Sequence, residues 1–406
     1  MTDDAPSLHV LLAGGGTGGH VFPALAVAEE LTARGWRVSF TGAAGGLEER
    51  LVGERGIAFH PLPARPLVGR GLLGKARSLT TLARSATAAR RLIRRIGADA
   101  VLGTGGYVSA PAVVGARLAR KPVLLLEPNA HAGVANRWLS RIANGAAVGY
   151  QETIGDLKCP CWVTGIPVRA AFFAVPELEA PHPLPPLPHA LPTSGRGGDT
   201  TGGGAPLPGG VSACGRGDGG EGPLRLLVLG GSQGAQQINQ AVPLAAARLL
   251  ARLPALRILH QAGARNLEQT REAYAAAGVT ERVEVVPFLD DVAGAMAASH
   301  LLVSRAGAIT LAEICAAGRP SVLLPLAIAQ GHQMGNAQLL SDAGAAEVIS
   351  SVDLSPELLG DRLERLLGDL PALARMGRAA RALARPRAVA EIADRLESIA
   401  RAGGVR

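Results

Sequence analysis

The chain has 406 residues, of which 48% are hydrophobic and 18% charged, so a disordered chain is excluded and two or three domains are expected. Its 41 basic and 33 acidic residues give a formal charge of +8, which favours an anionic partner: a phosphorylated substrate, an anionic lipid or a nucleic acid. Aromatic residues make up only 3%, which disfavours nucleic acid because single-strand binders stack bases on aromatic side chains.

Neither the cysteines nor the N-terminus indicates export. The four cysteines form no paired CxxC motif, so neither a structural zinc nor a disulfide framework is predicted. The start is acidic, and its apolar run at residues 10–13 is too short for a signal peptide. No stretch reaches the ~18 uncharged apolar residues of a spanning helix. We therefore expect a reduced cytoplasmic protein, free or bound to a membrane surface.

The N-terminal half alternates short apolar runs with helical patterns. The predicted strands are 8–13, 37–40, 100–102 and 123–126, and the predicted helices are 23–34 and 113–118. Strands and helices that alternate at this spacing indicate βαβ units and a parallel sheet.

The middle of the chain has a different composition. Residues 175–223 contain ten prolines and thirteen glycines, and no hydrophobic period survives there. We predict a flexible linker or insertion for this segment.

The βαβ pattern restarts after the insertion. Predicted strands are 224–229, 256–260, 283–286, 301–304 and 321–324; a helix is predicted at 238–250, another after residue 307, and an amphipathic tail helix at 388–400 that could pack on either half. The predicted fold class is α/β, with two Rossmann-like domains. The expected segments are a first domain at 1–170, the insertion at 175–223, a second domain at 224–385 and a C-terminal helix at 386–406.

Three glycine-rich loops each follow a predicted strand. They are Gly14–His20, Gly103–Tyr107 and Gly230–Gly234. Glycine lets the backbone approach a ligand closely, and the free amides of a following helix hold anions such as phosphate. The second strand ends Ser39-Phe40-Thr41-Gly42, without the acid that binds the ribose of a dinucleotide, so a nicotinamide or flavin role is disfavoured. No loop has the Walker spacing with a lysine, which disfavours ATP hydrolysis.

The stretch Arg305–Glu313 predicts a second kind of anion site. A helix that starts near Ala308 directs its first amides at a diphosphate, and Glu313 lies about a turn and a half further on. A carboxylate at that place can accept two hydrogen bonds from a ribose diol.

Seven motifs in order resemble one family of bacterial enzymes. They are Gly15–His20, Gly105–Tyr107, Glu127–Asn129, Thr164–Arg169, Gly230–Gly234, Arg305–Glu313 and His332–Ala337. The chain is similar to the undecaprenyl-diphospho-muramoylpentapeptide β-N-acetylglucosaminyltransferases of peptidoglycan synthesis, over nearly its whole length outside the insertion.

The resemblance implies the GT-B architecture, in which two Rossmann-like domains face each other across a cleft. It implies transfer of N-acetylglucosamine from its UDP derivative to the 4-hydroxyl of a lipid-linked muramoyl pentapeptide, with inversion at the sugar carbon and without a metal or other cofactor. The implied partners are both substrates and an anionic membrane surface, with cell-wall synthesis proteins as candidates and no nucleic acid. The implied location is the cytoplasmic face of the membrane, as a peripheral protein.

The resemblance also assigns site residues. His20 is the expected base, and Glu127 is its rival. The acceptor diphosphate is expected at Gly15, Gly16, Gly105 and Gly106. The expected substrate-binding residues are Thr17, Gly18, Gly19, Asn129, Arg169, Ser232, Gln233, Leu289, Ala308, Ile309, Thr310, Leu311, Ala312, Glu313, His332, Gln333 and Asn336. Two residues depart from the pattern of many members: Ile166 stands in place of asparagine and His332 in place of glutamine.

A basic segment predicts a membrane-facing surface. Residues 55–95 contain ten basic residues and no acid, and an apolar tip at Leu72 and Leu73 is followed by Lys75. Apolar residues recur at every third or fourth position from 79 to 96, so one face of this helix is expected to pack inward and to leave arginines such as Arg91 and Arg94 outside. Such a surface suits an anionic bilayer.

Three other functions remain open from the sequence. A related GT-B enzyme could use another acceptor, such as diacylglycerol. A sugar-nucleotide epimerase would share the fold but would have no need of a basic apolar surface. A non-enzymatic membrane-surface or nucleic-acid binding protein would leave the glycine loops and Glu313 without a purpose.

Overall fold

The computed structural model describes residues 7–63, 72–178, 223–230, 235–326 and 332–403, and for residues 72–80, 107 and 332 it describes the backbone alone. Most of the predicted insertion at 175–223, and the loop residues Ser232 and Gln233, lie outside the described residues. The side chains of Leu72, Leu73, Lys75 and His332 lie outside them too. In the described part, no helix is both long and apolar enough to cross a bilayer.

The first domain is built on a parallel sheet. Its described strands have the order β3-β2-β1-β4-β5-β6-β7. They are β1 His9–Ala13, β2 Arg37–Gly42, β3 Ala58–Pro61, β4 Ala100–Gly103, β5 Val123–Glu127, β6 Gly145–Val148 and β7 Cys161–Val163. Its helices are α1 Gly18–Ala33, α2 Leu47–Gly53, α3 Leu72–Ile96, α4 Gly106–Leu118 and α5 Val134–Leu139, with a 3₁₀ helix at Gln151–Asp156. The short helix α6 Ala170–Phe173 follows β7, and its buried Phe172 packs in the core of the second domain. Strands β1 and β5 are buried along their whole length, because helices cover both faces of the sheet.

The second domain repeats this arrangement. Its described strands have the order β10-β9-β8-β11-β12-β13 and are all parallel. They are β8 Arg225–Leu229, β9 Arg257–Gln261, β10 Val283–Val286, β11 Leu301–Ser304, β12 Ser321–Leu323 and β13 Ala346–Val348. The helices are α7 Gln236–Arg252, α8 Leu267–Ala276, α9 Val292–Ala297, α10 Ala308–Ala317, α11 His332–Asp342, α12 Pro356–Leu367 and α13 Leu370–Ala382, with 3₁₀ helices at Ala264–Asn266 and Thr280–Arg282. The last helix is α14 Ala388–Gly403.

The strand order of each sheet indicates where a ligand can bind. The chain moves outward in one direction from β1 to β2 and β3, and in the other from β4 onward, and β8 and β11 repeat the reversal. In such sheets ligands bind beyond the carboxyl ends of the strands at the point of reversal. The predicted α/β class with two parallel sheets is confirmed.

Helix α14 returns to the first domain. Its buried face packs into the core between β1 and α1. Arg34, the C-cap of α1, donates to Asp394 at 2.6 Å and to the carbonyl of Ala390. The chain thus crosses between the domains twice, after β7 and again before α14. The two crossings touch, since a Cβ at Gly165 would lie 2.6 Å from that of Arg385. The predicted segment limits stay predictions, but the structure places the tail helix on the first domain.

Two helices begin earlier than the sequence pattern predicted. Helix α1 starts at Gly18 rather than residue 23, and α4 starts at Gly106 rather than residue 113. Pro23 and Pro111 lie inside these helices, not at their starts. Each helix begins with glycine from a glycine loop, and glycine has no side chain to contribute to an apolar period. Both helix starts therefore lie directly at the carboxyl edge of the first sheet.

Candidate active site

A cleft of about 500 Å³ lies between the facing edges of the two sheets. Its volume is in the range of small-molecule sites. Of the predicted site residues, eleven line it: Thr17, Gly18, Gly19, His20, Asn129, Arg169, Leu289, Ala308, Ile309, Thr310 and Glu313. The structure therefore brings residues that are up to about 300 positions apart into one cavity.

His20 lies in the first turn of α1 with its ring held in one orientation. Its Nδ1 is 2.8 Å from the carbonyl oxygen of Thr104. A carbonyl can only accept, so Nδ1 carries the proton and Nε2 keeps its lone pair. Burial lowers the pKa of His20, against the hydrogen bond to Thr104 and the charge of Glu127. The imidazole is therefore neutral near pH 7 and able to accept a proton at Nε2.

Gly105 and Gly106 pack closely against this ring. A Cβ at Gly105 would lie 3.1 Å from Cε1 of His20, and one at Gly106 would lie 3.2 Å from Cδ2. Both have positive φ, 93° and 74°, which also favours glycine. The two glycines do not line the cleft, and their lack of side chains leaves room for the ring of His20.

Glu127 is a buried carboxylate at the end of β5. Its side chain is 2% exposed, and its oxygens accept four N–H groups at 2.9–3.1 Å, from the backbone of Asn129 and Gly133 and the amides of Asn129 and Asn136. With its lone pairs engaged, this carboxylate is poorly placed to take a proton from a substrate. The geometry favours His20 over Glu127 as the base and leaves Glu127 to orient Asn129.

Helix α10 directs its N-terminus into the cleft. Gly307 is the N-cap, and Ala308, Ile309 and Thr310 line the cavity with amides that have no partner within the helix. At the other end, the guanidinium groups of Arg319 and Arg381 donate to the last carbonyls of the helix. The two guanidinium groups compensate the negative end of the helix dipole. The free amides at the N-terminal end of α10 are suited to bind an anion in the cleft.

Two predicted residues of α10 belong to the core instead of the cleft. Leu311 is fully buried, and Ala312 packs partly buried against the same core. The resemblance implies that every residue from 308 to 313 contacts the substrate. In a helix only one face meets the ligand, so Thr310 and Glu313 face the cleft while the two residues between them turn away.

Glu313 and Arg169 meet across the cleft. Arg169 Nη2 is 3.3 Å from Glu313 Oε1, and the guanidinium also lies over the rings of Phe172 and Phe22 at 4.9 and 5.2 Å. Burial raises the pKa of Glu313 to about 7, and the charge of Arg169 opposes this shift. The side chain of Glu313 is still 12% exposed, so a ligand entering the cleft can reach it.

Other predicted residues support the cleft without lining it. Gln333 accepts the amide of Leu326 at 3.0 Å. Asn336 is fully buried and links the domains, accepting the amide of Ala130 at 3.1 Å and donating to the carbonyl of Ala306 at 3.3 Å. Its polar groups are already paired, so it positions the two walls of the cleft.

The first glycine loop, Gly14–His20, meets the cleft only with its last residues. Gly15 and Gly16 do not line the cleft, and the amide of Gly16 is directed to the carboxylate of Glu48 at 3.3 Å. The amide of Gly16 is thus already paired in this conformation. The residues that follow it in the chain, 17–20, form the wall instead.

Several lining residues lie outside the motifs found in the sequence. They are Phe22, Leu51, Glu54, Arg55, Leu229, Gln261, Phe288, Asp290 and Val292. Gln261 was detectable, because it ends a strand at a ligand-binding edge. Leu51 of α2 and the two residues after that helix, Glu54 and Arg55, gave no signal, because nothing local marks which side of a short helix meets a distant domain.

The basic surface predicted for the membrane lies on α3. Arg84, Arg91, Arg94 and Arg95 are exposed, whereas Ala86, Ala89, Leu92 and Ile93 are buried against the first domain. The predicted separation of an apolar inner face from a basic outer face is therefore present over the described side chains of this helix.

Comparison with known proteins places the chain among glycosyltransferases. Residues 10–148 match the glycosyltransferase family 28 N-terminal domain, and residues 225–396 match its C-terminal domain. Relatives from Methylibium petroleiphilum (38% identical, covering 98% of this chain and 99% of the relative) and Halorhodospira halophila (40%, 96% and 98%) are both named UDP-N-acetylglucosamine–N-acetylmuramyl-(pentapeptide) pyrophosphoryl-undecaprenol N-acetylglucosamine transferase.

Solved structures agree with this placement. The crystal structure of MurG from Acinetobacter baumannii has a TM-score of 0.71 and 30% identity, covering 97% of this chain and 100% of its own. A UDP-N-acetylglucosamine 2-epimerase from Neisseria meningitidis has a TM-score of 0.63 at 12% identity, covering 96% and 100%, which shows a shared fold alone. The predicted GT-B architecture is confirmed.

Proposed function

The chain belongs to glycosyltransferase family 28, and from that premise we propose the function that its cleft supports best. It transfers N-acetylglucosamine from UDP-N-acetylglucosamine to undecaprenyl-diphospho-N-acetylmuramoyl-pentapeptide in peptidoglycan synthesis. The observation that carries the proposal is that one cleft receives both a helix N-terminus suited to a diphosphate and a neutral histidine suited to proton abstraction.

His20 acts on the acceptor in this mechanism. Its Nε2 takes the proton of the 4-hydroxyl, whose oxygen then forms a bond to C1 of the donor sugar. The bond from C1 to the diphosphate oxygen breaks, and UDP leaves with the electron pair. A single displacement of this kind converts the α-linked donor into a β-linked product.

The second domain stabilises the leaving group. The amides at the start of α10 meet the charge that develops on the diphosphate, together with Arg169. Glu313 accepts the ribose hydroxyls, Leu289 meets uracil through its backbone, and Asn129 contacts the sugar. Because fixed amides already supply the positive end of a dipole, the mechanism needs no cation.

A transfer assay tests this function. Purified protein with UDP-N-acetylglucosamine and the undecaprenyl-linked muramoyl pentapeptide should form the disaccharide lipid and UDP, at a rate that excess EDTA leaves within about twofold. Parallel reactions with diacylglycerol, or with no acceptor, check for a glycolipid product or an epimerised sugar nucleotide. Loss of activity in EDTA would reject the metal-free mechanism, and product in a parallel reaction alone would reject the acceptor.

The exposed arginines of α3 support a membrane location. We place the enzyme at the cytoplasmic face, where anionic lipids attract basic surfaces by about 1 kcal/mol for each Lys or Arg. Replacing Arg91 and Arg94 by glutamine should weaken binding to anionic vesicles by roughly thirtyfold in a flotation assay. The matched control replaces Arg375 and Arg378, two exposed arginines of the second domain. Equal flotation of both variants and the wild type would contradict the proposed surface.

A further inference from the structure

Glu48 is a buried carboxylate that has no part in the mechanism above. It lies in the first turn of α2 and is 1% exposed. Its oxygens accept the amide of Ala43 at 3.1 Å and that of Gly16 at 3.3 Å. Among the described residues no cation forms an ion pair with it. Burying a carboxylate without a cation is costly, so its place behind the first glycine loop calls for a reason.

Three glycines enclose this carboxylate. A Cβ at Gly15, Gly42 or Gly46 would lie 2.2, 2.6 or 2.7 Å from an atom of the Glu48 side chain, closer than real Cβ contacts. Gly15 belongs to the loop that follows β1, Gly42 is the last residue of β2, and Gly46 is the N-cap of α2. The side chain therefore joins two neighbouring loops and occupies the space that their missing side chains leave.

The Glu48 contact fixes the turn of the first glycine loop. Gly16 has a φ of 83° and directs its amide backward to Glu48, while the residues that follow, Thr17 to His20, line the cleft. On the other side, a Cβ at Gly106 would lie 3.1 Å from the carbonyl oxygen of Gly15, so the loop is held from two sides. A shift in this turn would displace both the amides of Thr17–Gly19 and the base.

We propose that Glu48 is a positioning residue for acceptor recognition: its hydrogen bonds to the amides of Gly16 and Ala43 tie the first glycine loop to the segment after β2 and hold that loop in the shape that binds the lipid-linked acceptor. The inference rests on the proposed function, because it assigns this loop to the acceptor. The second domain supplies the helix start that holds the nucleotide diphosphate, so loosening the loop affects the acceptor and leaves UDP binding intact.

Glu48→Gln tests the proposal with little change of size. The glutamine amide group keeps one acceptor oxygen and presents N–H groups to the other loop amide, so one hydrogen bond is lost. The KM for the lipid acceptor should rise about tenfold, while the Kd for UDP stays within about twofold. The matched control is Glu49→Gln, because Glu49 also accepts a loop amide, that of Gly45 at 2.6 Å, but is exposed and lies apart from the glycine loop.

A second variant covers the case in which Glu48→Gln fails to fold. Gly15→Ala should raise the acceptor KM, because the new Cβ collides with the carboxylate of Glu48. The same change made in a Glu48→Asp background should raise the KM by a smaller factor, because the shorter carboxylate leaves room for the Cβ. Simple additivity of the two changes, or an unchanged acceptor KM in Glu48→Gln with UDP binding intact, would overturn the proposal. No transfer by the wild type would overturn the proposed function itself.

Discussion

Replacing His20 by alanine should lower kcat by about a hundredfold to ten-thousandfold, while the Kd for UDP stays within about threefold. The reason is that Nε2 of His20 accepts a proton only during the reaction, whereas the nucleotide is held mainly by the second domain. Stopped assays with saturating acceptor would give kcat, and calorimetry with UDP would give the affinity.

The pH profile separates this role from a structural one. The wild type should lose kcat as the pH falls through the lowered pKa of His20, because the protonated imidazole cannot act as a base. The alanine variant should lack that acid limb. His131→Ala is the matched control, since this histidine of the same domain has a side chain 58% exposed. A kcat for His20→Ala within tenfold of the wild type would remove His20 from the role of base.

Replacing Glu313 by alanine should raise the Kd for UDP-N-acetylglucosamine by about a hundredfold at pH 8. At that pH the carboxylate is ionised, and each charge-assisted hydrogen bond to a ribose hydroxyl contributes about 1.5–3 kcal/mol. The intact sugar nucleotide is the better ligand for this measurement, because a terminal phosphate with a pKa near ~6 would titrate in the same range. Glu284→Gln, an exposed acid of the second domain, is the control.

The same residue predicts a pH dependence of donor binding. Because burial raises the pKa of Glu313 to about 7, the carboxyl is mostly protonated at pH 6, where donor affinity should be about tenfold weaker than its alkaline limit. In Glu313→Gln the affinity should stay nearly constant with pH, close to that of the wild type with Glu313 protonated, because the amide carries no charge. A wild-type affinity that does not change between about pH 6 and pH 8 would separate the donor from this carboxylate.

The sequence predicts most of the strands and fewer of the helix starts. Strands such as β1 and β5 are buried on both faces, so they appear as unbroken apolar runs that need no tertiary context. Helices α1 and α4 begin within glycine loops, where no apolar period marks the first turn. These glycines leave the helix starts undetected in the sequence, and they lie in the loops at the carboxyl edge of the sheet.

Some residues of the candidate site could be found from the sequence, and others could not. His20 and Glu313 were accessible from the sequence because each follows a strand and a glycine at the start of a helix. The pairing of Asn336 with Ala130 joins residues 206 positions apart, and the pairing of Glu48 with Gly16 joins two separate loops, so no local pattern indicates either. Such contacts depend on how the two domains and their loops are packed.

The two crossings between the domains also decide which contacts set the width of the cleft. A Cβ at Gly165 would lie 2.6 Å from that of Arg385, so the two connecting segments leave no room for a side chain between them. Asn336 adds another contact between the domains, because it accepts the amide of Ala130. Since His20 belongs to the first domain and the start of α10 to the second, the distance between them depends on these contacts and on neither domain alone.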